Sequence, residues 1–302
     1  MPQLEILSRR PAGPAKPVPL LFVHGAFCGG WIWDEHFLPW FAEQGWEAHA
    51  VSLRGHGASE GRDRLNSFGI ADYVDDVLNA VDACSAPPVL IGHSMGGMVV
   101  QRALTRRRFP GAVLMASAPP HGLLESTMRL AWSDPYVFQQ MGMLMTFSNG
   151  IEAEAVRRAM FSDQVPLEVA KRYEPLMQEE SQRVLLDIGG WIPFPLLPAR
   201  GVAVAVLGAE KDRLIPKDQV EATARAFRTE SVFFPAMGHS MMLEPGWESV
   251  AGHIADWVET TVLKRPAPQR KAPDTKTSDT KTSDAGAWDS GAPDTGTRAA
   301  AD

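Results

Sequence analysis

The 302 residues carry a net charge of −7, with 45% hydrophobic and 22% charged side chains. That mixture excludes a fibrous or wholly disordered chain, and the acidic balance argues against nucleic acid as a partner, because phosphate binding depends on clustered Lys and Arg. The two cysteines, Cys28 and Cys84, have no metal-ligand spacing and cannot form a disulfide framework.

A chain of this length can bury enough apolar surface to fold without metals or disulfides. Residues 1–19 contain no apolar stretch of signal-peptide length, and nothing later reads as a membrane span. The expected setting is therefore the cytoplasm.

In chain order, Pro19 to Val23 is a short apolar run that ends at His24-Gly25. The spacing predicts a helix over 34–44, stopped by Gly45, and a strand over 47–53 before the turn Arg54-Gly55-His56-Gly57. Ile70, Val74, Val77, Leu78 and Val81 share one helical face. A buried strand follows over 89–91, then a helix over 95–107 and a strand over 112–116. This alternation of strand and helix predicts a mostly parallel sheet covered by helices on both faces.

Between Pro119 and Pro198 the alternation fails. The span is rich in Met and aromatic residues, among them Trp132, Met141, Met143 and Met145, and predicts an inserted helical lobe. Strands resume over 202–207 and 231–234. Trp247, Val250, Ala251, Ile254, Trp257 and Val258 line the face of a closing helix. From Arg265 the composition turns to Pro, Ala, Thr, Ser, Asp, Lys and Gly, and Asp-Thr-Lys-Thr-Ser at 274–278 repeats at 279–283. Such a segment cannot bury enough apolar area to offset its ordering entropy, and reads as a disordered low-complexity tail.

The most informative stretch is Gly92-His93-Ser94-Met95-Gly96-Gly97. Gly-x-Ser-x-Gly alone arises by chance in about one chain in ten of this length, from average residue usage. Here it lies between a buried strand and a helix, where a sharp turn would push the Ser94 hydroxyl above the sheet edge. A serine hydroxyl is a poor nucleophile until a base takes its proton, so a histidine and an orienting group are required.

On these residues the span 18–263 resembles an α/β-hydrolase with a helical cap. The resemblance implies a core at 1–118 and 199–264, a cap at 119–198 and the tail at 265–302. It implies the triad order Ser, acid, His. Ser94 matches the nucleophile, His239 in Phe234-Pro235-Ala236-Met237-Gly238-His239-Ser240 matches the base, and Asp212 in Gly208-Ala209-Glu210-Lys211-Asp212 matches the acid, with Glu210 as its near competitor. The backbone N–H groups of Ala26 and Met95 match the oxyanion donors, with Phe27 as a substitute if the loop is displaced. Phe27, Trp132, Met141, Met143 and Met145 are expected to line the substrate pocket.

A serine at position 94, where dehalogenases and epoxide hydrolases of this fold carry aspartate, points to acyl chemistry. Arg54-Gly55-His56-Gly57-Ala58-Ser59 together with Gly-His-Ser-Met-Gly-Gly is similar to monoacylglycerol lipases, lysophospholipases and carboxylesterases, whereas His24-Gly25-Ala26-Phe27-Cys28-Gly29-Gly30-Trp31 departs from the monoacylglycerol lipase pattern. The expected activity is hydrolysis of a fairly apolar, small-molecule carboxylic ester through an acyl-enzyme, with no cofactor and no metal. The same triad also serves perhydrolysis or haloperoxidase-like chemistry, thioester hydrolysis and carbon–carbon bond hydrolysis. A non-catalytic ligand receptor is the alternative from another class. Oligomeric state stays open.

Overall fold

The strands at the centre of the molecule are buried on both faces, and their side chains divide by the period of two that a strand imposes. In β2 (Leu20–Val23), Leu20 and Phe22 enter one apolar cluster while Leu21 and Val23 enter the other. The computed structural model describes residues 2–146, 152–190 and 201–264. Its sheet also contains β1 (Ile6–Arg9), β3 (Ala48–Val51), β4 (Val89–His93), β5 (Gly111–Met115), β6 (Ala203–Ala209) and β7 (Ser231–Phe234). The strand order is β1-β3-β2-β4-β5-β6-β7, parallel except for β1, which pairs antiparallel with β3.

Helices cover both faces. The cluster around Phe22, Ile91 and Val113 takes Trp33 from α1 (Trp31–Asp34), Phe37 and Phe41 from α2 (Phe37–Glu43), and Ile254 from the closing helix (Trp247–Trp257). The opposite cluster, around Leu21, Leu90 and Leu114, takes Val74 and Val77 from α3 (Ile70–Ala80), Val99 from α4 (Met95–Arg106), and Val220 from the helix at Lys217–Phe227. Each fully buried aliphatic or phenyl side chain contributes about 1.5–3 kcal/mol.

Between β5 and β6 the described residues form α5 (Leu124–Ser133), α6 (Pro135–Thr146), α7 (Ala153–Met160), α8 (Leu167–Tyr173) and α9 (Gln182–Ile188). These helices occupy the span where sheet alternation fails in the sequence. Residues 217–227 and 247–257 are α10 and α11. Residues 1–265 form one compact unit. The tail, Trp191 and Phe194 lie outside the described residues.

One expectation is corrected, and one strand, β1, was not expected. The single helix over 34–44 is two, α1 and α2, because Pro39 lies in the first turn of α2. A proline there clashes with the carbonyl four residues back, so the chain breaks at Glu35-His36 and restarts. β1 carries no strand signal of its own. It is a short edge strand, half-exposed to exposed, and its partner β3 determines it.

Candidate active site

One residue separates β4 from α4, and that residue is Ser94. Its backbone sits at φ 53°, ψ −120°, a conformation that costs a non-glycine residue about 1–3 kcal/mol and persists only when its surroundings impose it. Hydrogen bonds impose it here. Ser94 N–H donates to the Met115 carbonyl at 3.1 Å, and the Ser94 carbonyl accepts from Gly97 and Ala118, both at 3.0 Å. The flanking glycines have a steric reason. A Cβ on Gly92 would lie 2.5 Å from the Gly96 carbonyl oxygen, and one on Gly96 would lie 2.4 Å from that of His24. Strand, helix and the neighbouring loop therefore meet only without side chains at these points.

His239 and Asp212 come from the loops after β7 and β6. Asp212 Oδ2 accepts from His239 Nδ1 at 2.8 Å, and its Oδ1 accepts from the backbone N–H groups of Leu214 and Ile215, both at 2.8 Å. A neutral ring that donates from Nδ1 has Nε2 as its acceptor nitrogen. Ser94 and His239 line the same cavity, as do Gly25, Ala26 and Met95. Met95 is the first residue of α4, so its N–H has no intrahelical acceptor.

The turn bearing Ala26 is fixed from two sides. His24 donates from Nδ1 to the Gly25 carbonyl at 2.8 Å and accepts the Leu53 N–H at Nε2 at 3.0 Å. Burial and the nearby His56 push its pKa down to about 3, which suits a ring that must keep one nitrogen free to accept. Phe27, at φ 65°, offers its carbonyl to the Gln178 N–H at 2.9 Å.

Three buried groups near the site carried no sequence signal for their contacts. His93 donates from Nε2 to the carbonyl of His239 at 3.0 Å, and burial followed by the His239 ring holds its pKa well below the usual histidine range. Glu244 accepts the Gly238 N–H at 2.9 Å and the Ser162 hydroxyl at 2.9 Å, joining the His239 loop to the segment after α7. Glu180 accepts the Tyr73 hydroxyl at 2.6 Å and the Ser181 N–H at 2.7 Å, and its other oxygen lies 3.2 Å from His56 Nε2. Burial pushes the Glu180 carboxyl up, but His56, Tyr73 and the Ser181 N–H outweigh burial and leave it below the ordinary glutamate value. The bonds from Ser162 to Glu244, from Tyr73 to Glu180 and from His93 to His239 join residues 82, 107 and 146 positions apart, so only the Arg-Gly-His-Gly turn hinted at where to look.

The cavity has a volume of about 140 Å³. Its wall opposite the sheet is built by Leu123, Leu130, Met141, Val156, Met160 and Ile188. Of the expected pocket residues, Phe27 and Met141 line it. Trp132 and Met143 do not: they are 91% and 42% exposed. The reason at Trp132 is helical phase. Leu123, Ser126, Thr127 and Leu130 turn toward the cavity, which sends Leu124, Met128 and Trp132 outward at intervals of four. The Met145 side chain lies outside the described residues. Glu210, the competitor for the acid, is exposed. Among the described residues no His, Cys, Asp and Glu group could hold a metal ion, and no helix is long and apolar enough to cross a membrane.

A profile of the alpha/beta hydrolase family matches residues 20–251. The chain belongs to the alpha/beta hydrolase family. This alpha/beta hydrolase is 24% identical over 238 residues to a monoacylglycerol lipase of Mycolicibacterium smegmatis, covering 74% of the chain and 81% of the relative. It is 36% identical over 108 residues to Esterase PIR7B of Oryza sativa subsp. japonica, covering 33% of the chain and 38% of that protein. Among solved structures it is similar to a thermophilic esterase from Thermogutta terrifontis, with a TM-score of 0.63 and 20% identity over 85% of this chain and 93% of that one.

Proposed function

We propose that this alpha/beta hydrolase cleaves a carboxylic ester with an apolar acyl group through an acyl-enzyme on Ser94. The coarse class, a carboxylic ester hydrolase, follows from the family and from its esterase and lipase relatives. The finer reading rests above all on the His239 Nδ1–Asp212 pair, whose ring shares one cavity with Ser94.

In this reading the Ser94 oxygen attacks the ester carbonyl while its proton passes to His239 Nε2. Asp212 keeps the ring in the tautomer that can accept it and stabilises the imidazolium that results. The N–H groups of Ala26 and Met95 receive the negative charge that develops on the carbonyl oxygen. The tetrahedral intermediate collapses with release of the alcohol, which takes its proton from His239. Water then repeats the sequence, giving its proton to His239 and its hydroxyl to the acyl carbon, and Ser94 leaves reprotonated.

An apolar wall supports the apolar acyl group. A volume of about 140 Å³ compares with the cavity of about 150 Å³ that takes up benzene in a protein interior. The favoured acyl group is therefore short to medium, on the order of six heavy atoms by that comparison. The test is a panel of p-nitrophenyl esters from acetate to dodecanoate. We expect the highest kcat/KM near butanoate to hexanoate. Ser94→Ala should reduce kcat by about 10⁴-fold or more, and Asp212→Asn by a comparable or smaller factor. Near wild-type turnover by Ser94→Ala would overturn the reading.

A further inference from the structure

The cap side of the cavity contains one polar atom whose position is unexplained. Ser126 lies in the first turn of α5 and lines the cavity. It is 4% exposed, and its Oγ is shielded from solvent with no hydrogen-bond partner. A serine in a helix usually returns its hydroxyl to a carbonyl three or four residues back, and Ser126 does not. The neighbouring residues of the wall, Leu130, Met141, Val156, Ala159 and Met160, have apolar side chains, and the adjacent Thr127, which also lines the cavity, is exposed. Buried hydroxyls are ordinarily paired. One left unpaired in a ligand cavity discriminates strongly between ligands that bear a complementary polar group and ligands that do not.

We propose that Ser126 is a specificity-determining residue that hydrogen-bonds an oxygen carried within the acyl chain of the substrate. The substrate class is accordingly an ester of a short acid whose chain bears a ketone, ether or hydroxyl oxygen, rather than a plain alkanoate. This rests on the ester-hydrolase reading of the same cavity and adds to it the identity of the acyl group. The apolar walls bind the methylenes, and Ser126 selects among acids of equal length.

The experiment compares p-nitrophenyl hexanoate with its 4-oxo and 5-oxo counterparts, each rate divided by the rate of hydroxide hydrolysis of the same ester. For the wild type we expect kcat/KM about tenfold higher for one oxo ester than for hexanoate. Ser126→Ala should bring that ratio to about one by loss on the oxo ester, with hexanoate unchanged or improved and the melting temperature no lower. A second measurement separates this proposal from the reading beneath it. Binding of N-methylhexanamide and its two oxo counterparts is followed by NMR titration in Ser94→Ala and in Ser94→Ala/Ser126→Ala. If wild type fails to turn over p-nitrophenyl acetate, the ester-hydrolase reading falls, and the amide affinities still decide the role of Ser126. A preference for an oxo amide that disappears with the Ser126 hydroxyl upholds it. Equal affinity for all three amides, or a preference that survives Ser126→Ala, overturns it, as does an equal loss on all three esters.

Discussion

At the scale of single residues, the histidine beside the nucleophile contributes more than occupancy of the elbow. The His93 Nε2–H bond to the His239 carbonyl, at 3.0 Å, ties together the two segments that exchange a proton in the proposed mechanism. The same carbonyl also accepts the Met241 N–H at 3.0 Å, so loss of His93 leaves it partly paired and the loop folded. Replacing His93 by Leu should lower kcat about fivefold, in keeping with a net hydrogen-bond contribution of about 1 kcal/mol, while His93→Gln, which keeps an N–H, should recover part of it. Equal kcat for His93→Leu and wild type would remove His93 from the positioning of His239. Because burial and the His239 ring hold its pKa far down, His93 stays neutral and adds no limb of its own to a pH profile. The positions of Ser94, His239 and Asp212 at the ends of strands were legible because each occupies a local pattern: glycines at fixed offsets, or a loop directly after a strand. His93, Glu180 and Glu244 act through partners distant in the chain, and no local pattern encodes such partners.

At the scale of elements, the segments flanking α8 fasten the helices between β5 and β6 to the two loops around Ser94. Ser162 meets Glu244 beside the His239 loop, and Gln178 and Glu180 meet Phe27 and the Arg-Gly-His-Gly turn. Hydrogen bonds to a buried charged group contribute about 1.5–3 kcal/mol each, and Glu180 accepts from the Tyr73 hydroxyl and the Ser181 N–H, so Glu180→Gln should lower the melting temperature by several degrees. Its pH dependence has a definite sign. The folded-state pKa of Glu180 lies below its unfolded value, so its contribution is complete above the unfolded value of about 4.3. That contribution fades as pH falls through the folded value. The difference in melting temperature between wild type and Glu180→Gln should therefore be constant near neutral pH and shrink below about pH 4 by that reasoning. A difference independent of pH down to acid denaturation would contradict it. Element legibility followed the same divide between local and distant causes. α3 and α4 announce themselves by apolar spacing. The break between α1 and α2 was readable in Pro39 but overridden by the apolar run around it. β1 has no periodic pattern at all.

At the scale of the whole molecule, the sheet holds Ser94, Asp212 and His239 at its edge, and helices between β5 and β6 line the cavity that Ser94 and His239 share. Composition suggested Trp132, Met141, Met143 and Met145 of that span as pocket residues. The phase of α5 turns Trp132 outward, while Met141 of α6 lines the cavity. Met141→Ala should change the ratio of kcat/KM between hexanoate and acetate esters by about 5- to 30-fold, as the loss of one to two kcal/mol of apolar contact would give. Trp132→Ala should leave that ratio unchanged, and a shift at Trp132 with none at Met141 would reverse the assignment of the lining. The central claim, however, is the covalent step at Ser94. A fluorophosphonate added to the folded protein, followed by intact-mass measurement and peptide mapping, tests it most directly. The account predicts one adduct on the peptide containing Ser94, abolished in Ser94→Ala and strongly slowed in His239→Ala. An unmodified protein, or an adduct that persists in Ser94→Ala, would contradict it.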